Sequence, residues 1–85
     1  MTKFEYTIKD ELGIHARPAG ELVKVAGGFP CSIQIEKDGK AVDAKRILGI
    51  MGLGVKCGMT ISVICDGEQE AEAAAAIKAI LEEQL

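Results

Sequence analysis

The spacing of apolar residues predicts an α+β domain: one four-stranded sheet with its helices gathered on one face. Three observations carry this. Four segments alternate polar and apolar residues, the period of a half-buried strand. Other segments space their apolar residues three and four apart, the period of a helix face. Glycine, proline and Asp-Gly pairs fall between the periodic segments and punctuate them. The resulting order is strand, helix, strand, strand, helix, strand, helix. A sheet covered on one side would bury every apolar face so defined.

Residues 3–9 alternate, with Phe4, Tyr6 and Ile8 on one face of a strand. Residues 10–15 hold Asp10, Gly13 and His15 and read as a loop. Pro18 suits the start of a helix, because the N–H it lacks has no intrahelical partner there. Ala19, Leu22, Val23 and Ala26 then form one helix face, ended by Gly27-Gly28 and Pro30. Residues 31–37 alternate again, with Cys31, Ile33 and Ile35 inward. Asp38-Gly39 is a two-residue hairpin signal, and residues 40–44 return with Val42 inward. Residues 47–53 read as a short helix weakened by Gly49 and Gly52 and ended near Gly54. A strand over 60–66 carries Ile61, Val63 and Cys65, and Asp66-Gly67 turns the chain. Residues 68–84 form the last helix, with Ala73, Ile77, Ile80 and Leu81 as its buried stripe. Glu68, Glu70 and Glu72 cluster near its start, where the helix dipole favours negative charge.

Composition narrows the function classes. The chain has 85 residues, which suits a single domain over 1–85 with one modest core. It is 48% apolar and 27% charged, as ordinary globular domains are. A net charge of −3 without aromatic residues among the basic ones argues against nucleic-acid binding. No apolar run is long enough to span a bilayer, and the alternating N-terminus lacks the apolar stretch of a signal peptide. Cys31, Cys57 and Cys65 form no C-x-x-C pair, and their odd number suggests reduced thiols in a cytoplasmic protein. The lone histidine has no cysteine at ligand spacing, so no metal site is expected.

His15, the only histidine, immediately precedes a helix. A helix N-terminus offers unpaired N–H groups and a partial positive charge, and so attracts phosphate. The backbone of Ala16 and Arg17 would supply those groups. The Arg17 side chain adds a planar cation suited to phosphoryl oxygens. From local chemistry alone, a capping or idle surface histidine is an equal alternative.

The stretch Leu12-Gly13-Ile14-His15-Ala16-Arg17-Pro18-Ala19 resembles the active-site signature of the HPr family, the histidine-containing phosphocarriers of the bacterial sugar phosphotransferase system. The Asp38-Gly39 hairpin, the segment Gly49-Ile50-Met51-Gly52-Leu53-Gly54 and the final helix fall where that family has them, so the resemblance spans the chain. It implies an open-faced β-sandwich, a four-stranded antiparallel sheet with three helices on one face. It also implies a stoichiometric carrier, not an enzyme, that needs no metal or cofactor. The carrier would accept a phosphoryl group from phosphorylated Enzyme I on Nδ1 of His15, helped by Arg17, and pass it to a sugar-specific Enzyme IIA. A monomer is the default expectation.

Residues 49–54 lack the Lys-Ser/Thr that follows the glycines of a phosphate-binding loop. A short helix exposing Leu48, Met51 and Leu53 fits better, and the resemblance implies that these dock partner proteins. Alternatively, Ile47, Ile50 and Leu53 complete the core. One departure stands out: many relatives carry a regulatory serine just before this helix, and here the residue is Arg46. Two competing functions remain, a related carrier in a regulatory phosphorelay uncoupled from transport and an interaction module that is never phosphorylated. Retention of His15 and Arg17 speaks against the second.

Overall fold

In the computed structural model, which describes Met1–Leu85, the elements follow in the order β1 (Thr2–Thr7), α1 (Ala16–Gly27), β2 (Ser32–Lys37), β3 (Lys40–Asp43), α2 (Ile47–Gly52), β4 (Thr60–Asp66) and α3 (Glu70–Gln84). The four strands form one sheet in the order β1-β4-β2-β3. Every pairing is antiparallel. The fold is the open-faced α+β sandwich expected from the sequence, with three helices.

Register explains why the alternating segments bury one face. Phe4 lies opposite Val63, Val63 opposite Ile35, and Ile35 opposite Val42, giving one apolar row across all four strands. Tyr6 against Ile61 and Cys65 against Ile33 extend the same face. The helices supply the opposite wall. Leu22 and Ala26 of α1 and Ala73, Ile77 and Leu81 of α3 are fully buried, within a core cluster of 20 residues. Each large aliphatic side chain so buried contributes about 1.5–3 kcal/mol.

Turn chemistry fixes the connections. Asp38 and Gly39 both have positive φ, 52° and 83°, as a type I′ hairpin turn requires. Two details depart from the sequence reading. First, α3 begins at Glu70 instead of residue 68, because Gln69 adopts a left-handed conformation (φ 63°). Second, α2 divides its apolar residues differently. Ile50 and Leu53 are buried (0% and 7% exposed), whereas Ile47 is 39% exposed. Leu53 therefore belongs to the core and does not form part of an exposed apolar patch. No helix is long and apolar enough to cross a membrane.

Candidate functional site

The β1–α1 connection places His15. This segment is held from two sides. Lys9 and Asp10 N–H both donate to the Leu85 carbonyl, at 2.6 and 2.9 Å. The loop before β4 grips the other side, with Ile14 N–H donating to Val55 O (3.0 Å) and Gly58 N–H to Ile8 O (2.8 Å). Gly13 has φ +67°, and a Cβ there would lie 2.3 Å from Val55 O, so only glycine fits. Within the loop, Asp10 Oδ1 accepts the Leu12 N–H at 2.8 Å and the Asp10 carbonyl accepts the Gly13 N–H at 2.9 Å. The turn thus delivers His15 to the helix start in a fixed direction.

His15 is the N-cap of α1, with extended backbone and no side-chain capping bond. The first bond of the helix runs from Ala19 N–H to the His15 carbonyl at 3.0 Å. Pro18 has no N–H to offer. The Ala16 and Arg17 N–H groups therefore remain without an internal acceptor at the positive end of the dipole. No acidic residue occupies this first turn to compete for them. The His15 side chain is about one-third exposed (36%), and Arg17 is exposed beside it in sequence. Here an anion can meet two amides, and an imidazole lies one residue before them.

The imidazole is not symmetric in its surroundings. Its Nε2 lies 3.7 Å from Asp10 Oδ2. A carboxylate on that side favours the tautomer with the proton on Nε2, which leaves the lone pair on Nδ1. The sequence reading placed Asp10 in the loop without a role. Its position beside the ring comes from the turn that Gly13 permits, which no spacing rule reports.

Leu48 and Met51 of α2 are exposed, 83% and 39%, and α2 packs against α1. Arg46 is the N-cap of α2 and makes no side-chain capping bond. Its guanidinium lies 3.9 Å from the Asp43 carboxylate, a contact between exposed groups that contributes little. The one cleft, about 350 Å³, is lined by Tyr6, Lys9, Asp10, Glu82, Glu83, Gln84 and Leu85 and meets the site only at Asp10. No group of three or more His, Cys, Asp or Glu side chains is placed to hold a metal. Cys31 and Cys65 are buried free thiols, and burial pushes the Cys65 thiol up. Cys57 is free and exposed.

The family described as the PTS HPr component phosphorylation site matches residues 2–83. Among solved structures, HPr-C-His from Thermoanaerobacter tengcongensis is 41% identical, with a TM-score of 0.93, covering 98% of this chain and 93% of that one. The phosphocarrier protein HPr of Bacillus anthracis is 38% identical, with a TM-score of 0.87, covering 94% and 95%. The Bacillus subtilis catabolite repression protein Crh, seen as a domain-swapped dimer, is 36% identical with a TM-score of 0.79, covering 100% and 98%. With this match over nearly the whole chain, and with a lone histidine capping an amide-bearing helix start, the protein belongs to the HPr family of phosphocarriers of the phosphotransferase system.

Proposed function

We propose that this chain accepts a phosphoryl group from phosphorylated Enzyme I on Nδ1 of His15 and passes it to a sugar-specific Enzyme IIA. The observation that carries the reading is the arrangement around His15: a partly exposed imidazole on the N-cap residue of a helix whose Ala16 and Arg17 amides are unpaired. In the transfer, the Nδ1 lone pair attacks phosphorus. The bond from phosphorus to the donor breaks, and its electron pair leaves with the donor. The two amides and the Arg17 guanidinium offset charge on the phosphoryl oxygens, since catalysis of such transfers is mostly positioning and electrostatics. An exposed site suits a carrier, because the group must leave again. The chain acts stoichiometrically, in the cytoplasm, as a monomer.

Leu48 and Met51 form the apolar contact with partner proteins, with Leu53 acting from beneath as core. Arg46 carries no hydroxyl, so a kinase directed at the family's serine finds no acceptor at this position. A phosphoserine there would have gained from the helix dipole, whereas a cation does not.

The test is incubation with Enzyme I and phosphoenolpyruvate, read by intact mass. The wild type should gain one acid-labile phosphoryl group and His15→Ala none, with both chains folded. Phosphorylation of His15→Ala to the same extent would overturn the proposal.

A further inference from the structure

We infer that Asp10 is a positioning residue for His15, holding the ring nitrogen opposite the one that takes the phosphoryl group. The inference rests on the proposed use of Nδ1 and adds a residue to that site. Its basis is how fully Asp10 is committed. Its N–H is bonded to the Leu85 carbonyl, its carbonyl to the Gly13 N–H, and its Oδ1 to the Leu12 N–H. One polar atom remains, Oδ2, and it lies 3.7 Å from His15 Nε2. The two side chains are 36% and 28% exposed, so water screens the contact only in part. At this distance the contact is electrostatic and longer than a hydrogen bond. Such contacts are often long in the unliganded state and tighten in the reacting complex.

Two consequences follow from the chemistry. Before transfer, the carboxylate favours the proton on Nε2, which leaves the lone pair on Nδ1 free to attack. After transfer, Nε2 is the ring's remaining nitrogen. When the P–Nδ1 bond breaks, its electron pair returns to Nδ1. With a proton on Nε2 the ring departs as neutral imidazole and not as imidazolate, a far poorer leaving group. Asp10 faces the atom that must hold that proton. Its anchoring by three backbone hydrogen bonds gives it a fixed position from which to act.

Asp10→Asn separates this role from a merely structural one. Asparagine keeps an Oδ1 acceptor for the Leu12 N–H, so the turn survives. It removes the negative charge and turns an amide donor toward Nε2. Nitrogen-15 shifts of the His15 ring, recorded at a pH where the imidazole is neutral, report the tautomer without any partner protein. The wild type should carry its proton on Nε2, and Asp10→Asn should shift population toward Nδ1–H. Phosphorylation by Enzyme I should slow about tenfold in the variant, the scale of one charge-assisted hydrogen bond. Asp10→Glu, which restores the charge, should recover the Nε2–H tautomer and part of the rate. A wild type with its proton mainly on Nδ1 would overturn the inference, whatever the variants do. So would an Asp10→Asn chain with wild-type tautomer and rate. Failure of the wild type to be phosphorylated at all would instead strike the functional reading, leaving the tautomer measurement to judge Asp10.

Discussion

Gly13→Ala should unseat the histidine loop, and the structure sets the size of the effect. Gly13 has φ +67°, where a residue with a Cβ costs about 1–2 kcal/mol. The added Cβ would lie 2.3 Å from Val55 O and 2.6 Å from Lys56 Cα. Both are backbone atoms, so no side chain can swing aside. Forcing them apart costs about 1–3 kcal/mol, as overpacking generally does. The same displacement breaks the bond from Ile14 N–H to Val55 O, worth about 0.5–1.5 kcal/mol. The combined loss is about 4 kcal/mol, which for a domain of this size lowers Tm by roughly 15–30 °C. Gly39→Ala is the matched control. It has φ +83° but nothing within 4 Å of its Cβ, so it should show only the strain of about 1–2 kcal/mol. Urea unfolding of both variants measures the difference, and amide shifts of Ile14 and Val55 locate it. Equal stability losses for Gly13→Ala and Gly39→Ala, with Ile14 and Val55 unmoved, would refute the clamp between the two loops.

Three further outcomes are expected. Arg17→Ala should slow phosphoryl transfer roughly a hundredfold, on the scale of losing one oxyanion donor, yet shift stability by no more than about 0.5 kcal/mol because the side chain is exposed. Parallel transfer kinetics and thermal melts check this. Met51→Glu should weaken affinity for Enzyme I about tenfold, on the scale of an apolar interface anchor, while single-turnover transfer at saturation stays near wild type. Finally, the hydrogen bonds from the N-terminal ammonium, Thr2 and the Gly67 N–H hold the Glu70 carboxyl down at about 2, from an ordinary 4.5. A depressed folded value means that Glu70 stabilises above pH 4.5 and that the benefit fades as pH falls toward 2. The Tm gap between wild type and Glu70→Gln should therefore be widest above pH 4.5 and close near pH 2.

Much of the architecture was legible because one-dimensional period maps directly onto one-sided burial. Ala19, Leu22 and Ala26 recur at helical spacing and all are fully buried. Asp38-Gly39 announces its hairpin because both residues tolerate positive φ. Resemblance located His15, but neighbourhood came from tertiary structure. Asp10 reaches the imidazole through a turn closed by Gly13 and braced by Val55 and Leu85, residues distant in sequence. α2 was the least legible element. With six residues, two of them glycine, it has no stripe long enough to show which apolar side chains turn inward. Leu53 consequently fitted either an exposed docking face or the core, and the structure places it in the core. The late start of α3 was hidden for another reason: Gln69 takes a left-handed conformation that its side chain does not advertise.

The proposed function makes His15 Nδ1 a relay point and not an endpoint, and one chase experiment tests this directly. The wild-type chain is charged with Enzyme I and phosphoenolpyruvate, freed of both, and then mixed with an Enzyme IIA while phosphorus-31 NMR follows the phosphoryl group. A single Nδ1-phosphohistidine resonance should disappear as the Enzyme IIA signal grows in equal amount. A phosphoryl group found on another residue or on Nε2, or one that stays on this chain in the presence of every Enzyme IIA from the same cell, would contradict the relay.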